Sequence, residues 1–335
     1  MSVLLAAGVV AVRLRDDRAP LETIQVAVGS EDMAYLQDPQ VQQQFASKGY
    51  AVEATGFGSG QLARQLSPKS YDAFLPSSQA FADEAQARLK QGSLNQPQPF
   101  STPLAVFTWR PLLPLLHRLQ IINSSGQFDI AQYLNVVSSR IRWNEIQGNT
   151  FYSNPGQILL HMTNPVDSDS GAMFVAAASY VLNGKQVISS DAQVSKTAPP
   201  IARALIPLGE MPETTNQIFT EYLRGRMAGM PLALGYESEF TGMQDASPRS
   251  IPPGAVMIPL ATPIDCVHTI IPFDPRGREF ATLMTSDPVL QQLAARRYGF
   301  LTTQQTQQQG YNISVPAVPL LKKLIQDVVP GGTGS

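Results

Sequence analysis

The sequence predicts an α/β fold in which parallel strands alternate with helices, and two observations support this prediction. Residues 24–90 show strand-like apolar runs and helical segments in the order β-α-β-α-β-α, which favours a parallel sheet with right-handed crossovers. Residues 157–182 repeat the succession of strand, serine-bearing loop and helix. Because 335 residues are enough for two domains of ordinary size, we expect two such units.

The composition indicates a globular protein and gives no sign of a nucleic-acid partner. Hydrophobic residues make up 43% of the chain and charged residues 15%, values that suit a packed core. The formal net charge of -2 offers no electrostatic attraction for nucleic acid. Cys266 is the only cysteine, which excludes an internal disulfide, and its apolar neighbours favour a buried side chain over a reactive thiol.

Residues 1–21 are interpreted as the remnant of an export signal or membrane anchor. Residues 3–12 form an apolar run that is too short to cross a bilayer about 30 Å thick. Arg13 and Arg15 follow this run, whereas a secretion signal places basic residues before it. A frayed extension or an edge strand is the alternative. The first interpretation predicts a periplasmic or extracellular protein and leaves N-terminal membrane anchoring open.

The stretch 52–81 carries the strongest local pattern. It is predicted to form a strand, a turn containing Gly56, Gly58 and Gly60, a helix, and a second strand at 71–75 that ends in Pro-Ser-Ser. Each strand therefore delivers a serine-bearing loop to a helix N-terminus. The free N–H groups of such a terminus can hold a small polar ligand.

The strand before this stretch, 24–28, has the apolar run of a strand that is covered on both faces. Ser30 and Glu31 follow it directly. A helix is predicted at 33–48, with Asp38-Pro39 either interrupting it or beginning a second helix.

The remainder of the chain is predicted to continue as strands and helices. Strands are predicted at 103–109, 156–162, 231–236, 256–260 and 267–272. Helices are predicted at 129–138, 172–182, 213–228, within 279–301, and at 318–329. No periodicity is evident in 184–212, which is interpreted as an insertion. Polar linkers or loose segments are predicted at 91–99, 302–309 and 330–335.

Two motifs and the order of the elements resemble a known family. G-S-G-Q-L-A-R-Q-L at 58–66, followed by Y-D-A-F-L-P-S-S at 71–78, resembles the ligand loops of periplasmic molybdate-binding proteins. More broadly, the chain is similar to the type II solute-binding proteins of ABC importers, and the pattern at 279–301 is similar to their C-terminal helices. The resemblance covers 24–81, 103–109, 157–182, 231–238 and 262–301.

The resemblance implies a two-lobed α/β fold of the type II periplasmic-binding-protein kind, with two crossing hinge segments. Lobe one would comprise 22–103 and 262–330, and lobe two 110–255. The hinge crossings would be 104–109 and 256–261. In this family the lobes close around a ligand, and the closure signals to a partner.

The predicted ligand site combines residues at strand ends and helix starts, because these ends face one crevice in a two-lobed α/β fold. Serine hydroxyls suit such a site because they both donate and accept hydrogen bonds. Each serine could instead be a helix cap. The predicted ligand-binding residues are Ser30, Glu31, Ser59, Ser77, Ser78, Asp169, Ser170, Gly171, Tyr236 and Glu237.

No residue pattern supports an enzyme, a metal site or a bound cofactor, and none of the three is predicted. Gln61 occupies the place of the last glycine in G-x-G-x-x-G, which argues against a dinucleotide site. The pair Asp167 and Asp169 lacks the residue that follows it in phosphohydrolases with an aspartyl nucleophile. The histidines are far apart, and each, His268 included, is expected to be packed or exposed rather than a ligand.

The predicted function is the capture of a small polar ligand between the lobes of a monomeric solute-binding protein, without chemical change. By analogy with the molybdate-binding proteins, the ligand would be an oxyanion. Glu31, Asp167, Asp169 and Glu237 lie in or beside the matched loops and would repel an anion, so a cationic or neutral polar ligand stays open. Glu237 and Glu239 are read as alternate residues of a strand, of which only one faces the cleft.

The expected partner is an ABC permease. The alternative function is an extracytoplasmic sensor or scaffold with the same fold, which pairs with a membrane protein other than a transporter. A permease gene beside the gene for this protein would distinguish the two. Turnover of any substrate would favour an enzyme built on the same lobes.

Overall fold

The computed structural model describes residues 20–90, 96–302 and 313–329. The predicted export segment lies outside the described residues except for its last two positions. The Gln-rich stretch from 303 onward, the tail from 330, and residues 91–95 of the predicted linker also lie outside them.

The first sheet contains three parallel strands and one short antiparallel strand. Its strands are β1 (Glu22–Gly29), β2 (Tyr50–Phe57), β3 (Ala73–Leu75) and β8 (Ile271–Pro272). They are arranged in the order β2-β1-β3-β8, with β8 antiparallel to β3. The parallel pairing predicted for the N-terminal segment is therefore confirmed.

The helices of this segment follow the strands as predicted. They are α1 (Met33–Leu36), α2 (Pro39–Ser47), α3 (Ser59–Arg64) and α4 (Gln79–Leu89). The break between α1 and α2 lies at Asp38-Pro39. The Asp38 side chain accepts a hydrogen bond from Gln40 N at 2.7 Å, and Pro39 takes the first helical position, where its missing N–H costs nothing.

The second sheet is antiparallel and is built around one long strand. Its strands are β4 (Ser101–Trp109), β5 (Ala233–Tyr236), β6 (Ala255–Pro259) and β7 (Asp265–Val267). The first residues of β4 pair with β7, and the later ones pair with β5 and β6 on either side. We call the first sheet with its helices the first lobe, and the second sheet with the helices from 113 to 246 the second lobe.

The remaining helices surround the two sheets. They are α5 (Leu113–Arg118), α6 (Ile130–Ser138), α7 (Asp169–Leu182), α8 (Asp191–Leu205), α9 (Thr215–Gly229), α10 (Glu237–Ala246), α11 (Pro275–Ser286), α12 (Pro288–Tyr298) and α13 (Val318–Val328). Among the described residues, none of these helices combines the length and apolar character needed to cross a bilayer. The residue boundaries predicted for the two lobes and for the hinge crossings stay predictions.

The segment 156–162 corrects the sequence prediction, because it forms single β-bridges and no continuous strand. Its apolar side chains are buried, as expected. His161 bridges to Ala233 at the start of β5, but the N–H of Leu160 donates to the hydroxyl of Tyr133 at 2.9 Å. A side chain thus takes the place of a neighbouring strand, and the ladder cannot continue.

The segment 184–212, interpreted from its sequence as an insertion without periodicity, contains the fifteen-residue helix α8. Val194, Ile201 and Leu205 are buried along one side of it. Pro199 and Pro200 lie within this helix. Proline normally ends a helix because it lacks an N–H and crowds the preceding turn, which explains why the sequence pattern does not indicate one.

The C-terminal helix α13 contacts both lobes. Its buried side chains Leu321, Leu324 and Ile325 belong to the core that includes residues of α7 and α8. On its other side, Lys322 Nζ lies 2.9 Å from a carboxylate oxygen of Glu84 in α4. This helix therefore packs on α7 and α8 of the second lobe and forms an ion pair with α4 of the first lobe.

Candidate ligand-binding cleft

The cleft lies where the ends of strands from both lobes face each other. In the first lobe, β1 leads into a 3₁₀ turn at Ser30–Asp32, and β2 leads into α3. In the second lobe, α7 begins at Asp169, and β5 leads into α10 at Glu237. The structure thus brings strand ends and helix starts together, which is where ligands bind in open α/β sheets.

The two lobes touch across the cleft, so this is a closed arrangement. Gly60 N donates to the carbonyl oxygen of Asp167 at 2.8 Å, and Asn216 N donates to Ser30 Oγ at 3.4 Å. Arg64 donates to the carbonyl oxygen of Val166. The N-terminal end of α3 is therefore docked on the second lobe.

Two glycines permit this close approach. A Cβ at Gly58 would lie 2.3 Å from the carbonyl oxygen of Asp167 and 2.6 Å from that of Glu213. A Cβ at Gly60 would lie 2.2 Å from the carbonyl oxygen of Val166. The Gly58-x-Gly60 motif thus lets one backbone approach another, which is a use that glycine alone allows.

The predicted serines of the first lobe form a network with Glu31. Ser59 Oγ accepts from Ser77 N at 3.1 Å and lies 3.2 Å from Ser77 Oγ. The Ser77 hydroxyl donates to Glu31, and Ser30 Oγ lies 3.5 Å from the other carboxylate oxygen. Ser78 caps α4 by accepting from Phe81 N at 3.4 Å. These hydroxyls are engaged with one another, with Glu31 and with backbone.

The predicted pair Ser170 and Gly171 sits in the first turn of α7 and packs within the second lobe. Ser170 Oγ lies 2.8 Å from Thr163 Oγ1 and 3.3 Å from Thr215 Oγ1. Gly171 N donates to Thr163 Oγ1 at 3.0 Å, and a Cβ at Gly171 would lie 2.5 Å from the Thr163 carbonyl oxygen. Both residues hold the start of α7 against the preceding loop.

Buried acids converge on the cleft from both lobes. Glu31 is 8% exposed, Asp32 0% and Asp169 1%. Within the described part of the chain, no Lys or Arg forms an ion pair with any of these three. Asp32 instead lies 3.0 and 3.1 Å from Nδ1 of the fully buried His268.

Several buried polar atoms of this region have no hydrogen-bond partner within the described protein. A buried polar group without a partner costs about 1–3 kcal/mol, so such groups are rare in folded proteins. Several such atoms lie near the cleft, where a bound molecule with hydrogen-bond donors would satisfy the acceptors among them. The atoms are both carboxylate oxygens of Asp169, both of Asp265, the Tyr236 hydroxyl, Ser238 Oγ and His268 Nε2.

Burial raises the pKa of these acids and so favours their protonated forms. Desolvation raises the pKa of Asp169 to about 7, against the opposing effects of nearby Ser78, His268 and Cys266. Desolvation also raises the pKa of Glu239 to about 8. The pKa of Glu31 is well above its usual value, first through burial and then through the charge of Asp32. The cleft can therefore take up a proton or a cation.

A cavity of about 290 Å³ adjoins the acids between α1, α9 and α10. Glu31 and Glu239 line it, together with the apolar side chains Met33, Phe219 and Met243. The cavity therefore combines carboxylates with apolar walls at the boundary of the two lobes.

Tyr236 and Glu237 end β5 and begin α10. Tyr236 is fully buried, and burial raises the pKa of its hydroxyl well above the usual range. Glu237 is half-buried, and desolvation followed by the charge of Asp265 raises its pKa. The prediction that Glu237 and Glu239 are strand residues is wrong, because both lie in the first turn of α10, where Glu239 accepts from Tyr236 N at 3.1 Å.

Sequence reasoning missed four groups of this region, namely Asp32, Ser238, Asp265 and His268. His268 is packed, as expected, but its contact with Asp32 joins residues 236 positions apart. No spacing of nearby residues in the sequence predicts a contact between two residues so far apart in the chain. Ser238 and Asp265 could have been suspected only from their position beside predicted strand ends.

We expect the ionisation of buried Asp169 to destabilise the unliganded folded protein increasingly as the pH rises. The folded-state pKa of about 7 lies above the unfolded value near 4, so the folded protein binds this proton more tightly. The stabilisation that comes from this tighter proton binding is fully present below about pH 4 and is lost as the pH rises to about 7. Each pKa unit that separates the folded from the unfolded state corresponds to about 1.4 kcal/mol of stability.

The test is the free energy of unfolding in urea at about pH 5 and pH 8, compared between the wild type and Asp169→Asn. The variant should gain more stability relative to the wild type at pH 8 than at pH 5. An equal difference at the two pH values would contradict the assignment.

Comparisons with known proteins establish the class of fold. No protein-family model matches the chain, and no curated protein matches it in sequence. Solved structures match over nearly the whole chain, and they define a two-lobed α/β fold of the type II periplasmic-binding-protein kind, as the sequence predicted.

Three of these structures illustrate the likeness. A periplasmic thiamin-binding protein aligns with a TM-score of 0.58 at 10% identity, covering 92% of this chain and 97% of its own. A solute-binding protein from Thermotoga lettingae bound to α-D-tagatose aligns with a TM-score of 0.55 at 11% identity, covering 93% of this chain and 95% of its own. Iron-bound HitA from Pseudomonas aeruginosa aligns with a TM-score of 0.55 at 10% identity, covering 92% of this chain and 99% of its own. Because the identities are so low, the ligand must be argued from the site itself.

Proposed function

We propose that this protein is an extracytoplasmic solute-binding protein that closes around a small ligand carrying a positive charge. The observation that carries this proposal is the set of buried acids at the cleft. Glu31 and Asp32 come from the first lobe and Asp169 from the second, and none has a Lys or Arg partner among the described residues. A cation between the lobes would compensate Glu31 and Asp169, whereas Asp32 already contacts His268.

The same acids argue against the oxyanion suggested by the molybdate analogy. A buried anion beside carboxylates would force them to stay protonated, which lowers its affinity at neutral pH. The serines that match the molybdate loops use their hydroxyls on one another and on Glu31. They are therefore poorly arranged as neutral donors to an anion.

Binding without turnover is part of the proposal, and the solved structures with this fold named above are binding proteins. We further propose that the protein acts outside the cytoplasm as a monomer, and that closure of its lobes is recognised by an ABC permease. A sensor or scaffold with the same cleft would close on the same ligand but recognise another membrane protein.

The ligand can be identified by native mass spectrometry of the purified protein, followed by calorimetry. We expect a co-purifying cation or a cationic organic molecule. Molybdate, tungstate, sulfate and phosphate should give no heat of binding at neutral pH. Tight binding of one of these oxyanions, with no response to any cation, would overturn the proposal.

Asp169→Asn should weaken binding of the cationic ligand by about 10- to 100-fold, because losing one partner of a buried charged contact costs about 1.5–3 kcal/mol. Asp191→Asn is the matched control, since Asp191 also begins a helix, α8, but is exposed. Both variants remove a carboxyl group from the first turn of a helix. Equal affinities of the two variants, measured by calorimetry, would exclude Asp169 from the site.

A further inference from the structure

We infer that the cavity beside the acids binds an organic ammonium ion with a short apolar body. This inference rests on the proposed function and specifies the chemical class of the ligand. The cavity of about 290 Å³ is formed by both lobes, with Ser30, Glu31 and Met33 on one side and Phe219, Ser238 and Glu239 on the other.

The polar part of the cavity has an excess of acceptors. Two carboxylates, Glu31 and Glu239, line it, and no Lys or Arg is among its described lining residues. Ser238 Oγ is a further buried polar atom in this wall. Ser238 is 3% exposed, and its hydroxyl has no hydrogen-bond partner within the described protein. An ammonium group donates several hydrogen bonds and carries the charge that these groups lack.

Another part of the wall is apolar, although Gln37, Asn216 and Ser247 also line the cavity. Met33, Phe219 and Met243 line it together with Tyr298. Methionine side chains are flexible and polarizable, so they adapt to apolar ligands of different shape. The volume is slightly below the range of about 300–1,000 Å³ that is typical of ligand pockets. The ligand body should therefore be small.

A bare metal ion fits this cavity less well than an organic cation. The described residues contain one group of potential metal ligands, Glu31, Asp32 and His268, with one atom from each within 4.8 Å of the others. Asp32 is already engaged with Nδ1 of His268, and both residues lie outside the lining of the cavity. A metal ion would also leave the apolar wall without a function.

The inference is tested with butylammonium chloride as the probe, and with butanol and sodium butyrate as matched neutral and anionic probes. Binding is measured by ligand-observed NMR at constant ionic strength and about pH 8.5, where Glu239, with a pKa of about 8, is ionised. We expect butylammonium to bind at least about tenfold more tightly than butanol, and butyrate not to bind. From methylammonium to butylammonium, the affinity should rise about fourfold per methylene, the usual gain for burying one CH₂ group.

Glu239→Gln should weaken butylammonium binding at least about tenfold while leaving the helix start intact, because glutamine can also accept from Tyr236 N. Glu53→Gln is the control, with the same charge change at an exposed residue of β2. Circular dichroism melting should show that both variants fold.

Equal binding of butanol and butylammonium, or an unchanged affinity in Glu239→Gln, overturns the inference. Binding of Mn²⁺ or Zn²⁺ that depends on Glu31 and not on Glu239 also overturns it, but leaves the proposed function standing. Co-purification of an anionic ligand overturns the proposed function itself.

Discussion

Gly58→Ala is expected to prevent closure of the cleft and to reduce ligand affinity by about 100-fold, which corresponds to about 2.7 kcal/mol. The backbone of Gly58, with φ of -68° and ψ of 139°, is one that alanine adopts without strain. The added methyl group would instead meet the carbonyl oxygens of Asp167 and Glu213 across the cleft. The substitution therefore acts on the contact between the lobes.

Small-angle X-ray scattering with and without ligand, combined with calorimetry, provides the measurement. The wild type should become more compact on binding, and Gly58→Ala should not. Gly229→Ala is the control, because a Cβ there meets no atom within 4 Å. If Gly58→Ala still closes and binds as tightly as the wild type, the described closed arrangement is not the liganded one.

Affinity for the cationic ligand is expected to rise steeply with pH. Protons compete with the ligand for Asp169 and Glu239, whose pKa values are about 7 and about 8. Below these values the carboxyls are protonated and neutral, and above them they are ionised and attract the cation. Each proton displaced contributes up to about a tenfold gain in affinity per pH unit, by linkage.

Calorimetry at about pH 5.5, 6.5, 7.5 and 8.5 measures this slope. Asp169→Asn should bind more weakly and also show a shallower slope, because it removes one of the two titrating groups. A flat pH profile in the wild type would mean that the ligand does not contact these carboxylates. A falling profile would indicate an anionic ligand.

The sequence predicted the fold well because its evidence is local. The parallel strands β1 to β3 follow from apolar runs and glycine turns within about 60 residues. The failures were also local conflicts. Pro199 and Pro200 lie within α8, and because proline normally ends a helix, the sequence pattern did not predict this one. At Leu160, the backbone N–H donates to the hydroxyl of Tyr133 and not to a neighbouring strand.

The sequence could predict the region of the candidate site but not the roles of its residues. Strand ends drew attention to Ser30, Glu31 and Asp169, which lie near the boundary of the two lobes, but their part in ligand binding stays a prediction. Their roles could not be predicted, because burial and charge compensation depend on groups from distant parts of the chain. Asp32 and His268 are one such pair. Whether the predicted serines contact the ligand stays a prediction.

Helix α13 has a mechanical consequence for opening of the cleft. Its main packing partners are α7 and α8 of the second lobe, whereas the ion pair of Lys322 with Glu84 connects it to α4 of the first lobe, and Lys322 is 48% exposed. An exposed ion pair is worth about 0–1 kcal/mol, whereas each buried aliphatic side chain is worth about 1.5–3 kcal/mol. When the lobes separate, the weaker contact is expected to break first, so α13 would move with the second lobe while Glu84 keeps its other ion-pair partner, Arg64 of α3, at 3.5 Å.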